Sequence, residues 1–301
     1  MDHRAELLVL LRQRLETLIE AMPAAQAGDV HSVHQARVAT RRLRAALPVL
    51  RKSLNAEALD RARLRVRRMT RALGPVRELD VSLQALEEYA NRGIATGRAI
   101  AKVRQSISQE RLRRRRDMLT AITPGKVDRL RRELAAVGSG PPVGGRPGAI
   151  RDAVRRVERR AGRLREAMAE AGSLYLADRL HTVRIAAKKL RYAMEIEREL
   201  KRSRVTARIR QLKTLQDLLG RMHDLHVLAA HTRVVQASVA GTDRRLTEDL
   251  DGLIIAIEED ARMEHGKYMR KRDSILKMLD NPTIADVPRL RSGQVRQPKV
   301  A

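Results

Sequence analysis

The chain has 301 residues and a formal net charge of +27 at pH 7, with 63 Lys and Arg set against 36 Asp and Glu. Hydrophobic residues make up 43%, enough for a sizeable core, but with no Phe, no Trp and four Tyr that core must be aliphatic. The absence of Cys excludes disulfides and thiolate metal sites, and no apolar run approaches the roughly 20 residues that a membrane span requires.

Apolar positions recur at helical spacing from the start of the chain, and no alternating strand pattern competes, which predicts an all-α fold. Helices are expected over 3–22, 31–52, 55–73 and 76–121, the last interrupted over 92–97, with a short one over 127–136. Pro23 and the Gly74-Pro75 pair should supply the breaks between them. Residues 138–148 are rich in Gly and Pro, cannot continue a helix, and read as a linker. Beyond it, helices are expected over 149–171, 174–201, 204–219, 222–240 and 243–280. The stretch 281–301 is polar, carries Pro282, Pro288 and Pro298, and reads as a disordered tail. With no signal-peptide pattern at the N-terminus, a soluble cytoplasmic protein is the expectation.

A basic signature is written twice. His34, Arg37, Arg41, Arg42, Leu43 and Arg44 return at the same spacing as His181, Arg184, Lys188, Lys189, Leu190 and Arg191, offset by 147 residues. Leu73, Gly74, Arg77, Glu78, Leu79 and Asp80 return as Leu219, Gly220, His223, Asp224, Leu225 and His226, offset by 146. Two motifs holding one offset to within a residue point to an internal duplication, residues 1–137 against 149–280. Each half should then present the same device to one partner.

On a helix, His34, Arg37, Arg41 and Arg44 form one stripe of about 15 Å, with Ala36, Ala39, Leu43, Ala46, Leu47 and Leu50 on the opposite side. The second half repeats the partition: His181, Arg184, Lys188 and Arg191 stand against Val183, Ala186, Leu190, Ala193 and Met194. Arg42 and Lys189 flank the stripes. The column lacks the i,i+4 carboxylates that would neutralise an ordinary solvated helix, and so suits a repeating anion. Arg offers phosphate a planar fork, Lys a mobile point charge, and His a donor whose charge an adjacent anion can recruit near neutral pH. For His34 and His181 a plain hydrogen bond to a neighbouring helix stands as the alternative.

These residues, with the Arg77 to Asp80 segment and the run Lys188, Lys189, Leu190, Arg191, Tyr192, resemble the CHAD domains, helical domains named for their histidines. The resemblance covers roughly residues 5–280. It implies two pseudo-symmetric four-helix bundles whose basic surface binds inorganic polyphosphate in a central groove, with recruitment to polyphosphate granules as a further expectation. Members of this family are sometimes fused to triphosphate-processing tunnel enzymes. Glu195, Glu197 and Glu199 are reminiscent of the carboxylates of such enzymes, but they sit at a helix end without an alternating strand, so a binding module without a catalytic domain is expected.

Further contacts are expected from Arg65, Arg68, Arg77 and Lys213, for which intrahelical salt bridges such as Arg77 with Asp80 are the alternative. The run Arg113 to Arg116 circles a helix, so not all four can face one ligand. No nucleophile, P-loop or His-Glu-x-x-His pattern is present, and neither an enzyme nor a cofactor is expected. His223, His226 and His231 are only weakly diagnostic of a metal, and none is expected. The rival partner is nucleic acid, which the charge supports equally well. Against it, no Tyr stands in a basic loop as a stacking platform and no helix-turn-helix or zinc-finger pattern is evident. Oligomeric state is not legible from these patterns.

Overall fold

The computed structural model describes residues 3–50, 54–137, 146–201 and 206–280, and every regular element among them is a helix. In chain order these are α1 (His3–Ala27), α2 (Val30–Leu50), α3 (Ala56–Asn91), α4 (Gly97–Ala121), α5 (Pro124–Ala136), α6 (Arg146–Ala171), α7 (Ala177–Lys201), α8 (Thr206–Val239) and α9 (Arg244–Asp280). Local chemistry sets the ends. Asn55, Thr96 and Asp243 accept hydrogen bonds from the backbone N–H three residues on, capping α3, α4 and α9. Gly28, at φ +100°, makes the tight turn from α1 into α2.

Three expected breaks do not occur. α1 runs through Pro23, α3 runs through Gly74-Pro75 for 36 residues, and the two helices expected over 204–240 form the single 34-residue α8. Pro23 and Pro75 both stand on exposed faces, so neither ring interrupts the packed side of its helix. The opposite faces stay buried through each position, with Ala21, Met22 and Ala25 around Pro23 and Leu73, Val76 and Leu79 around Pro75. Each buried Leu contributes roughly 1.5–3 kcal/mol, enough to offset one lost backbone hydrogen bond.

The long helices decide the packing. One apolar cluster joins Leu18 of α1, Leu43 and Leu47 of α2, Leu59 and Leu73 of α3 and Leu130 of α5, and takes in Ile196 and Leu200 from α7. A second joins Leu164 of α6, Leu190 of α7, Leu215 of α8 and Tyr268 of α9. The far ends of α3 and α8 meet α4 and α9 in a third, around Leu86, Tyr89, Ile107, Leu228 and Ile257. Polar links cross the same boundary: the Tyr89 hydroxyl donates to Asp260 Oδ2 at 2.8 Å, and Thr96 Oγ1 donates to Asp249 Oδ2 at 2.7 Å. The two halves are therefore interlocked through α3 and α8.

The linker expected over 138–148 lies outside the described residues as far as residue 145, and its last three residues open α6. The tail expected over 281–301 lies outside them entirely. Among the described residues no helix is long and apolar enough to cross a membrane.

Candidate functional site

The burial pattern of α2 fixes how its basic stripe is aimed. Val33, Ala36, Ala39, Leu43, Ala46, Leu47 and Leu50 are buried, so His34, Arg37 and Arg41 must emerge on the other side. On α7 the buried set is Val183, Ala187, Leu190, Ala193 and Met194, and His181, Arg184, Lys188 and Arg191 emerge. α2 packs beside α7, and both stripes line one groove.

The groove has two compartments, of about 560 and 530 Å³, which share Arg41, Lys188 and Tyr192. The larger is lined by His34, Arg37, Arg77, His181, Arg184, Arg191 and Arg221, but also by His223 and by the carboxylates of Glu78, Asp217 and Asp224. The smaller is lined by Arg44, Lys189, Arg63, Arg67, Arg156 and Arg160 around an apolar floor of Ala45, Pro48, Ile185 and Ala193. No carboxylate lines it among the described residues.

Burial holds several of the groove's titratable groups towards their uncharged forms, and for the basic ones neighbouring cations add to it. Burial, then Arg184, Arg41 and Arg37, push Lys188 down to about 6. Arg37 is lowered to about 10 by burial and by Arg41, and Arg156 to about 10 by burial and by Arg160. His34 and His181 are lowered, chiefly by burial and then by Arg77 and His223 respectively. Asp224 is raised by burial, against the pull of Arg184. The Nε of Arg184 is buried with no hydrogen-bond partner. An arriving anion would relieve the cost for the cations, while pressing Asp224 further towards its neutral form.

Most sequence-derived candidates are brought together here, and several are not. His181 meets both readings: it lines the groove and also faces His223 of α8, Nδ1 to Nδ1 at 3.3 Å, so one nitrogen must donate and the other accept. Arg191 is partly committed, with Nε donating to Gln216 Oε1 at 2.8 Å and Nη1 to Glu195 Oε1 at 2.6 Å. Arg42 is exposed outside the groove, where its carbonyl accepts from Arg14. Arg65 makes a two-point contact with Glu133 of α5 at 2.9 and 2.6 Å, on another face of α3. Arg68 lies beside Arg71 and Arg114 in a separate hollow, and Lys213 is exposed and outside the groove. Arg77 does line the groove, because Asp80 pairs with Arg111 of α4 at 2.5 Å rather than with Arg77.

The Arg113 to Arg116 run divides as its helical geometry requires. Arg113 and Arg114 pair with Glu110, while Arg115 donates twice to the Gln26 carbonyl and supports the α1–α2 corner. Sequence reasoning missed Arg63, Arg67, Arg156, Arg160 and Arg221. The first four carry a usable signal, since each is one of a pair at i,i+4 on a helix, but no duplication marks them. No group of three His, Asp or Glu side chains among the described residues could hold a metal ion.

Residues 9–233 match the CHAD domain family, three quarters of the chain. The chain belongs to that family. Two solved structures share its fold. PptA from Streptomyces chartreusis is 17% identical, with 92% of this chain and 100% of that chain covered at a TM-score of 0.63. The CHAD domain from the plant Ricinus communis is 21% identical, with 91% and 92% covered at a TM-score of 0.66. No curated protein matches this CHAD chain in sequence. His34 and His181, the histidines of the repeated motif, both line the larger compartment.

Proposed function

We propose that this CHAD domain binds inorganic polyphosphate along the groove between α2 and α7, and that it acts as a binding module rather than an enzyme. One observation carries the reading: the smaller compartment gathers Arg41, Arg44, Arg63, Arg67, Arg156, Arg160, Lys188 and Lys189 with no carboxylate among its lining residues. Cations in such number are costly to hold together, and a polymer bearing about one negative charge per unit answers them in series. Guanidinium groups dominate because they hold phosphate oxygens in a two-point fork.

In the same reading the chain is an internal duplication. The domain spans residues 1–280, the pseudo-two-fold axis relates α2 to α7, and one long anion touches both halves. The protein is cytoplasmic and is recruited to polyphosphate granules. Nucleic acid is the competing polyanion. Stacking of bases is disfavoured, because the Tyr192 ring is buried and already covered by Arg41 and Arg191 at 5.7 and 4.8 Å. A competition of polyphosphate against DNA and RNA at fixed physiological salt tests the proposal. Preference for polyphosphate supports it, and equal or stronger binding of nucleic acid overturns it.

A further inference from the structure

Gly74 sits in the middle of α3, where glycine weakens a helix relative to alanine, and its backbone is not in the positive-φ region that would demand glycine. Its neighbourhood explains it. A Cβ at this position would lie 2.7 Å from Nη1 of Arg37 and 3.8 Å from its Cζ. The guanidinium of α2 therefore lies directly against the backbone of α3, in space that any other residue would fill. Gly220 occupies the matching place in the repeated motif on α8, yet a Cβ there would meet nothing within 4 Å. The counterpart of Arg37 in the other stripe, Arg184, is thus not seated on a glycine, and its Nε lacks a partner.

We propose that Gly74 is a positioning residue, a notch in α3 that seats the Arg37 guanidinium in the groove, whereas Gly220 has no such task. The inference rests on the reading of the groove as the polyphosphate site. Its consequence is an unequal pair of stripes: Arg37 is held against the α3 backbone, and Arg184 has no such seat.

The test is a cycle of Gly74→Ala, Arg37→Ala and the double variant, with Gly220→Ala alongside. Two quantities are measured for each: polyphosphate affinity at fixed salt and pH, and the thermal midpoint without ligand. Gly74→Ala should weaken binding about as much as Arg37→Ala, roughly tenfold. The double variant should bind no worse than Arg37→Ala alone. Gly220→Ala should raise the midpoint, because alanine favours the helix, and leave affinity within about twofold. Gly74→Ala should raise the midpoint less than Gly220→Ala, and recover the full gain once Arg37 is absent. Unchanged affinity in Gly74→Ala, or a loss that persists undiminished in the Arg37→Ala background, overturns the proposal. Should the wild-type protein not bind polyphosphate, the proposed function fails, and the midpoints alone decide whether Gly74 seats Arg37.

Discussion

The two compartments of the groove solve the same problem differently. The smaller holds a fixed positive charge, built mainly from guanidinium groups with no carboxylate among its described lining residues. The larger holds an adjustable charge, because Glu78, Asp217 and Asp224 stand among its cations and His34 and His181, both held low, can change state. The fixed end should supply affinity and salt dependence, and the adjustable end should supply pH dependence. Lys188 stands where the two meet and takes part in both.

The largest expected effect comes from charge reversal at the fixed end. Arg67→Glu with Arg160→Glu should weaken polyphosphate binding by about 3–6 kcal/mol, since charged contacts contribute roughly 1.5–3 kcal/mol each. The dependence of affinity on salt should become shallower at the same time, because fewer counterions are exchanged. Titrations across a salt series check both. An unchanged slope would show that the polymer does not enter this compartment.

The next effect is on pH. Lys188 is held at about 6 in the empty groove, and an anion raises it, so between pH 8 and 6 binding takes up a proton. His34 and His181, also held low, and Asp224, held high, add to the uptake with the same sign. Affinity should therefore rise by at least about tenfold as pH falls across that window, and the part due to Lys188 should level off below 6. Binding heats in buffers of different ionisation enthalpy count the protons directly, and a count of zero breaks the comparison. The empty fold should respond oppositely. Lys188 lies below its ordinary 10.5, so the unfolded chain binds the extra proton and stability falls as pH drops from about 10 towards 6. Lys188→Met should remove that cost, stabilising the ligand-free protein by on the order of 1–4 kcal/mol while weakening binding.

A smaller effect is expected at Glu78, which faces the larger compartment and lies 3.8 Å from Nε2 of His223. Glu78→Gln removes a repelling charge and should strengthen binding by about 0.5–1 kcal/mol, as titration at fixed salt and pH would measure. The smallest effects sharpen the boundary of the groove. Arg42→Ala and Lys213→Ala, on exposed positions outside it, should leave affinity within about twofold, as equilibrium titration at physiological salt would establish.

Much of the helical plan was legible in the sequence, because an aliphatic chain with apolar positions at 3.6-residue spacing leaves little else to form. The misplaced breaks show where local rules lose. Pro75 carries a local penalty, but Leu73, Val76 and Leu79 on the buried side of the same helix outweigh it. The stripes on α2 and α7 were legible for the same reason, since each is opposed by an aliphatic face that sets its direction. Arg65 was misread because Arg63, Arg65, Arg67 and Arg68 crowd one helix, and their spacing alone does not say which of them meets Glu133 and which the groove.

The sequence by itself determined the helices, the overall excess of positive charge and the two histidine-bearing stripes, because periodicity, net charge and repetition are properties of order along the chain. Only the tertiary structure decided which cations share one space. An arginine's long stem gives it little preference among directions on a helix surface, so its direction depends on the neighbour it is packed beside. Arg63 and Arg67 of α3, Arg156 and Arg160 of α6 and Lys188 of α7 become one site because the aliphatic clusters hold three helices around it.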